Sequence, residues 1–290
     1  MKKILCLVMA VAMLAGMAVL TASCGGGNNS STNTPANTPA NTPENTPANA
    51  PAKLICGVTE YEPMNYRDAS GNWTGFDTEF AQLVGAKLGL EVEFQLIEWS
   101  NKFLELDSGA IDAIWNGFTA TATESDGTPR ARLCDMSYSY MTNTQAVVIR
   151  ASRTGEFTSL ADLVGKTLAV EAGSAGETMA QDLVGDGGTV IGATAQISTF
   201  MEVKSGAVDG AVIDIILAQQ IAGTGDFADL VIANIALEDE LYAIGFRKGD
   251  PLRDRVNQAM KELYDDGTLT ALAVRYGVDD RFFVDTSYRG

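Results

Sequence analysis

The chain has 290 residues, a formal charge of −17 and no histidine. The charge argues against nucleic acid or an anionic membrane surface as a partner. The missing histidine excludes a histidine triad, a histidine proton relay and a histidine metal site.

Met1-Lys2-Lys3 begins the chain, and residues 4–20 then run apolar without a charge. That run is short for a membrane span, so residues 1–23 read as a signal peptide. Thr21-Ala22-Ser23 before Cys24, with three glycines after it, resemble a bacterial lipoprotein cleavage site that would put a lipid on Cys24. Leu20 stands one place further from the cysteine than that pattern has it, and an ordinary secretory signal is the alternative. Residues 24–52 carry an Asn-Thr-Pro-Ala repeat without aromatic residues, which cannot bury a core and suits an extended tether.

Residues 53–290 suffice for one large domain or two moderate ones. Apolar runs of strand length alternate with helical patterns, which predicts a largely parallel α/β layout. A strand over Lys53–Val58 comes first. Asp77 is placed to cap a helix whose apolar face holds Phe80, Leu83, Val84 and Leu88, ended by Gly89. A strand over 92–96, a helix through Phe103 and Leu106, and strands over 111–115 and 146–149 follow. The pattern restarts with strands at 167–170, 189–191 and 208–213, helices at 177–183 and 199–204, a helix at Ile215–Ile221 and an extended stretch at 230–234. A strand over 241–246 and helices over 252–263 and Thr268–Tyr276 close the chain. Ser108-Gly109-Ala110-Ile111-Asp112-Ala113 is echoed by Ser205-Gly206-Ala207-Val208-Asp209-Gly210, which suggests two halves with related wiring. Cys56 and Cys134 either pair or remain buried thiols, and two cysteines alone do not make a zinc site.

Several segments in order carry a resemblance: Tyr61-Glu62-Pro63-Met64, Gly75-Phe76-Asp77, Ile111 through Thr119 (IDAIWNGFT), Gly165-Lys166-Thr167, Ala172-Gly173-Ser174 and Asp265-Asp266-Gly267-Thr268-Leu269. Over nearly all of residues 54–277 the chain resembles the polar amino-acid-binding proteins of ABC importers, the bacterial extracellular solute-binding proteins of family 3. The resemblance implies an α/β fold of the two-lobed, type II periplasmic-binding-protein kind, a clamp with its ligand cleft between the lobes. Residues 53–147 and 241–290 would form lobe 1 and residues 150–236 lobe 2, with hinge strands near 148–149 and 237–240.

The same resemblance implies the site. A free amino acid brings a carboxylate and an ammonium, and both need partners in a dry cleft. Arg130 would fork onto the carboxylate. Residues 121–127 look like an insertion just before it, and Arg132 is the other candidate. Asp214 at a strand's carboxyl end would take the ammonium, and it also suits a helix N-cap. The Thr119 hydroxyl and the Gly117 carbonyl would add contacts, with Asn116 and Phe118 beside them. Gly173, Ser174 and Ala175 open a helix whose amides suit a carboxylate. Tyr61 and Trp99 would flank the ligand side chain, Trp115 would support the cleft, and Glu60, Glu62 and Lys102 lie near its mouth.

The function implied is capture of a free amino acid by hinge closure and delivery to ABC-transporter permease subunits. The protein would be a monomer lipid-anchored outside the cytoplasm, without cofactor or metal and without catalysis. The alternatives are an enzyme on the same fold, such as a cyclohexadienyl or arogenate dehydratase, and a surface sensory domain.

Overall fold

The computed structural model describes residues 52–288. The expected signal peptide, Cys24 and the repeat up to residue 51 lie outside that span. The chain begins with β1 (Lys53–Val58), a small ribbon of β2 (Tyr66–Arg67) and β3 (Trp73–Thr74), α1 (Phe76–Leu88), β4 (Glu91–Leu96), α2 (Lys102–Ser108) and β5 (Ala113–Thr119). Short α3 (Arg130–Leu133), β6 (Asp135–Met136) and the long β7 (Ser139–Arg150) come next. Then follow β8 (Thr167–Glu171), α4 (Ala175–Val184), β9 (Thr189–Ala193), α5 (Gln196–Ser205), β10 (Gly210–Asp214), α6 (Ile215–Ile221) and β11 (Leu230–Ile232). The chain returns through β12 (Asp239–Phe246), α7 (Leu252–Asp265), α8 (Thr268–Tyr276) and β13 (Phe282–Asp285).

Two sheets share β7. The first runs β4-β1-β5-β12-β7 and the second β7-β10-β8-β9. Strand β1 lies parallel to β4 and β5, and β8 lies parallel to β9 and β10. Strands β12 and β10 meet β7 antiparallel. β7 pairs with β12 as far as Thr144 and with β10 from Gln145. This exchange of partners comes before the crossing expected near 148–149. β5 and β10 are buried along their whole length, as strands covered on both faces must be.

Local chemistry explains most element ends. Gly89, Gly109 and Gly206 adopt left-handed conformations at the ends of α1, α2 and α5, the usual glycine stop. The internal echo is real in space. Asp112 and Asp209 both follow such a glycine turn. Each accepts a backbone N–H from the neighbouring strand, Ile55 in one case and Thr167 in the other, at 2.9 Å. Each also holds an arginine, Arg247 and Arg153 respectively.

Three sequence expectations need correction. Asp77 is not a cap: α1 is entered at Gly75, and the Asp77 carboxylate accepts from Gly117 N–H at 2.7 Å and from the Tyr140 hydroxyl at 3.0 Å. Asp214 precedes α6 but makes no side-chain cap bond to it. β7 starts at Ser139, because polar Thr142 to Gln145 hide a strand whose side chains serve a buried polar junction. Cys56 and Cys134 are separate buried thiols. Among the described residues no helix is long and apolar enough to cross a membrane.

Burial raises the Asp77 carboxyl to about 7, against the pull of its two hydrogen bonds. An unfolded carboxyl titrates near 3.8. The stability tied to the neutral form is therefore full below about pH 4 and is lost as pH rises through 7. Asp77→Asn keeps an acceptor and removes the titration. Between pH 4 and 7, wild type should lose stability relative to Asp77→Asn by an amount on the order of 2–4 kcal/mol in denaturant titrations. A pH-independent gap contradicts this reading.

Candidate functional site

The carboxyl ends of β5 and β10 face each other across the gap between the sheets. There Trp99, Asn116, Gly117, Thr119 and Arg130 from the first sheet's side meet Glu171, Ser174, Ala175, Gln196 and Asp214 from the second. Together they line one small, narrow space. Eight of the residues expected from sequence line this space. Tyr61, Phe118 and Gly173 stand behind it.

Gly117 has φ of +56° within β5. A Cβ there would lie 2.6 Å from the Tyr61 ring and 2.9 Å from that of Tyr242. The two tyrosine hydroxyls share a 2.8 Å hydrogen bond, so the strand end is pressed onto a rigid aromatic pair. The Asn116 side chain turns away from the cavity. Its Oδ1 accepts from Thr59 N–H and Asn65 Nδ2, each at 2.9 Å, and its Nδ2 donates to Thr59 Oγ1 at 2.7 Å.

Arg130 opens α3 and is 1% exposed. Nε donates to Glu124 Oε1 at 2.7 Å, one terminal nitrogen to the Thr119 carbonyl at 3.0 Å and the other to the Gly173 carbonyl at 3.1 Å. The guanidinium lies 4.9 Å from the centre of the Phe118 ring, a favourable cation–π distance. Phe118 itself packs edge-on to Trp99. Arg132 is exposed and does not line the cavity. The inserted segment folds back on itself through Glu124 N–H to the Thr128 carbonyl and Arg130 N–H to the Ala122 carbonyl. It thereby delivers Glu124 to two cations, Arg130 and Lys102. Lys102 is fully buried and donates to Glu124 at 3.0 Å and to the Gly173 carbonyl at 2.8 Å. Burial and the nearby Arg130 charge lower its ammonium to about 8. Glu60 instead pairs with Arg67 at the surface, and Glu62 is exposed.

On the second side, Ser174 caps α4 by accepting from Glu177 N–H at 3.1 Å. Gly173 N–H goes to the Glu177 carboxylate and Ser174 N–H to the Glu171 carbonyl. Of the amides expected to hold a carboxylate, those two are thus engaged within the chain. The first two amides of α4, Ala175 and Gly176, have no intrahelical partner by their position.

Asp214 is 7% exposed. Its Oδ1 accepts from Asn143 at 2.6 Å and Gln145 at 2.8 Å, and its Oδ2 accepts from Gln196. Asn143 and Gln145 each also donate to Glu240 at 3.0 Å, and Thr119 Oγ1 donates to the same oxygen at 3.2 Å. Burial raises the Asp214 and Glu240 carboxyls, and the amide donors oppose it. Sequence reasoning missed Glu124, Asn143, Gln145, Glu171, Gln196 and Glu240. Asn143 and Gln145 were readable in principle: polar residues two apart in a strand share one face.

The sequence model of the bacterial extracellular solute-binding proteins, family 3, matches residues 54–279. The chain belongs to that family. The arginine-binding extracellular protein ArtP of Bacillus subtilis is 32% identical over 227 residues, 77% of this chain and 86% of its own. Among solved structures, an ancestral arginine-binding protein bound to arginine is 30% identical with a TM-score of 0.70, covering 78% of this chain and 98% of its own. A substrate-binding protein of an ABC uptake transporter from Streptococcus pneumoniae, with bound histidine, is also 30% identical. Its TM-score is 0.68, over 77% of this chain and 92% of its own. The fold is the type II periplasmic-binding-protein clamp, and family 3 places the chain among extracytoplasmic solute-binding proteins.

Within this family 3 clamp the two lobes are in contact. Besides the Gly173 carbonyl, Thr178 Oγ1 donates to the Thr123 carbonyl at 3.1 Å. A Cβ on Gly173, whose φ is +76°, would stand 2.8 Å from Ser100 Cα. Gly173→Ala should cost about 1–2 kcal/mol of folding stability from the left-handed backbone alone and should also wedge the lobes apart. Hydrogen exchange should rise about tenfold or more around Arg130 and at the start of α4 while β1 stays protected. Unchanged exchange at both places would show that this contact does not hold the lobes together.

Proposed function

We propose that the protein captures a free amino acid between its lobes and delivers it to the permease of an ABC transporter, as a binding protein and not an enzyme. One observation carries the reading. A buried guanidinium from one lobe and a buried carboxylate from the other face a single small cavity. That is the charge pattern an amino acid's own carboxylate and ammonium complete. Arg130 takes the carboxylate, helped by the first amides of α4. Asp214 takes the ammonium, with the Gly117 carbonyl and Thr119 hydroxyl beside it. Tyr61, Trp99 and Phe118 hold the walls.

Lobe 1 would comprise residues 53–147 and 241–290, and lobe 2 residues 150–236. Closure follows because a ligand touching both lobes binds the closed state better than the open one. The chain would work as a monomer tethered outside the cytoplasm through a lipid on Cys24. The similarity to arginine- and histidine-bound relatives supports an amino acid over other small solutes.

Thermal unfolding against a panel of free amino acids tests this. A true ligand at 100–1,000 times its dissociation constant should raise stability by about 3–4 kcal/mol. Arg130→Ala and Asp214→Asn should fold and lose that gain. No stabilisation by any amino acid rejects the proposal, and an undiminished gain in either variant removes that residue from the site.

A further inference from the structure

Two second-lobe carboxylates line the cavity, and they are treated very differently. Asp214 has three side-chain amide donors. Glu171, the last residue of β8, is 2% exposed, and its Oε1 has no hydrogen-bond partner among the described residues. A buried carboxylate oxygen left without a donor is costly. The two cations nearby are already engaged, Lys102 with Glu124 and the Gly173 carbonyl, Arg130 with Glu124 and two carbonyls. On the reading proposed above, Arg130 and Asp214 also meet the two charges common to every amino acid. Glu171 is then a buried carboxyl with one oxygen, Oε1, that none of these contacts answers.

A groove beside the cavity points the same way. This open groove shares Ala175 with the cavity and is lined by Asp182, Glu238, Asp239 and Glu240, with no lysine or arginine among its lining residues. Such a field concentrates cations beside the cavity and repels anions.

We infer that the cleft selects an amino acid whose side chain is itself cationic, and that Glu171 is the residue that receives that side-chain charge. A neutral side chain of the same length leaves Glu171 Oε1 unmatched, and an acidic one is repelled by the acidic groove beside the cavity. This inference rests on the amino-acid reading of the cleft and adds the side-chain class to it.

Calorimetric titration of the full chain with arginine, lysine and ornithine, and with the neutral analogues citrulline, glutamine and norleucine, tests it. Citrulline keeps arginine's length and replaces its charge with a urea group. Wild type should bind at least one cationic member tenfold or more tighter than its neutral counterpart. Glu171→Gln, close to isosteric, should lose most of that preference while its affinity for the neutral analogues stays within about threefold. Equal affinity for cationic and neutral members in wild type overturns the inference, and that comparison needs no variant. So does a Glu171→Gln protein with intact melting behaviour that keeps the full preference. Tight binding of a neutral amino acid alone overturns it and leaves the amino-acid reading standing. Binding of none overturns both.

Discussion

Burying a guanidinium is costly unless its N–H groups are met by acceptors, and Arg130 is only 1% exposed. Arg130 is met by a carboxylate and by two carbonyls, one of which belongs to the opposite lobe. The Gly173 carbonyl is in turn shared with Lys102. A single backbone oxygen of the second lobe thus answers two buried cations of the first. Separating the lobes would remove that acceptor from both. The left-handed glycine fits this place because any side chain would strike Ser100 across the gap.

The same electrostatic logic runs through the carboxylate side. Asp214 and Glu240 stand where β7 leaves β12 and joins β10. Two like charges so close in a dry junction would repel. Asn143 and Gln145 each donate to both, so neutral amides bridge the pair at the point where the chain passes between lobes. Burial still raises Asp214 and Glu240. It also raises Glu171, to about 8, with the Asp214 charge as the second cause. An incoming positive group near these carboxylates would favour their charged forms. Ligand uptake and proton release are therefore linked in this geometry.

Most of the architecture was legible from periodicity and stops. β1, α6 and α8 have the bounds expected, and Gly89 ends α1 in the left-handed conformation, as its place after the helical pattern suggested. The echo between Ser108–Ala113 and Ser205–Gly210 anticipated the matched aspartates that tie each strand start to its neighbour. The failures share a cause. Asp77, Asn143, Gln145 and Gln196 are polar residues inside buried elements, and the groups they bond to lie far away in sequence. Propensity reads such residues as caps or interruptions. Only the fold shows that Asp77 holds the Gly117 amide and that Gln196 holds Asp214. The insertion at 121–127 was visible as a length change, but its product, a carboxylate held between Arg130 and Lys102, depends on how the loop folds back.

The central claim is that closing the lobes assembles the site from halves that are incomplete apart. Small-angle X-ray scattering measures this directly, on the wild-type chain and on Arg130→Ala, with and without a saturating amino acid that stabilises the wild type. The account predicts that the radius of gyration falls on ligand addition for wild type and stays unchanged for Arg130→Ala. A wild-type radius that does not change while the ligand is bound would contradict it.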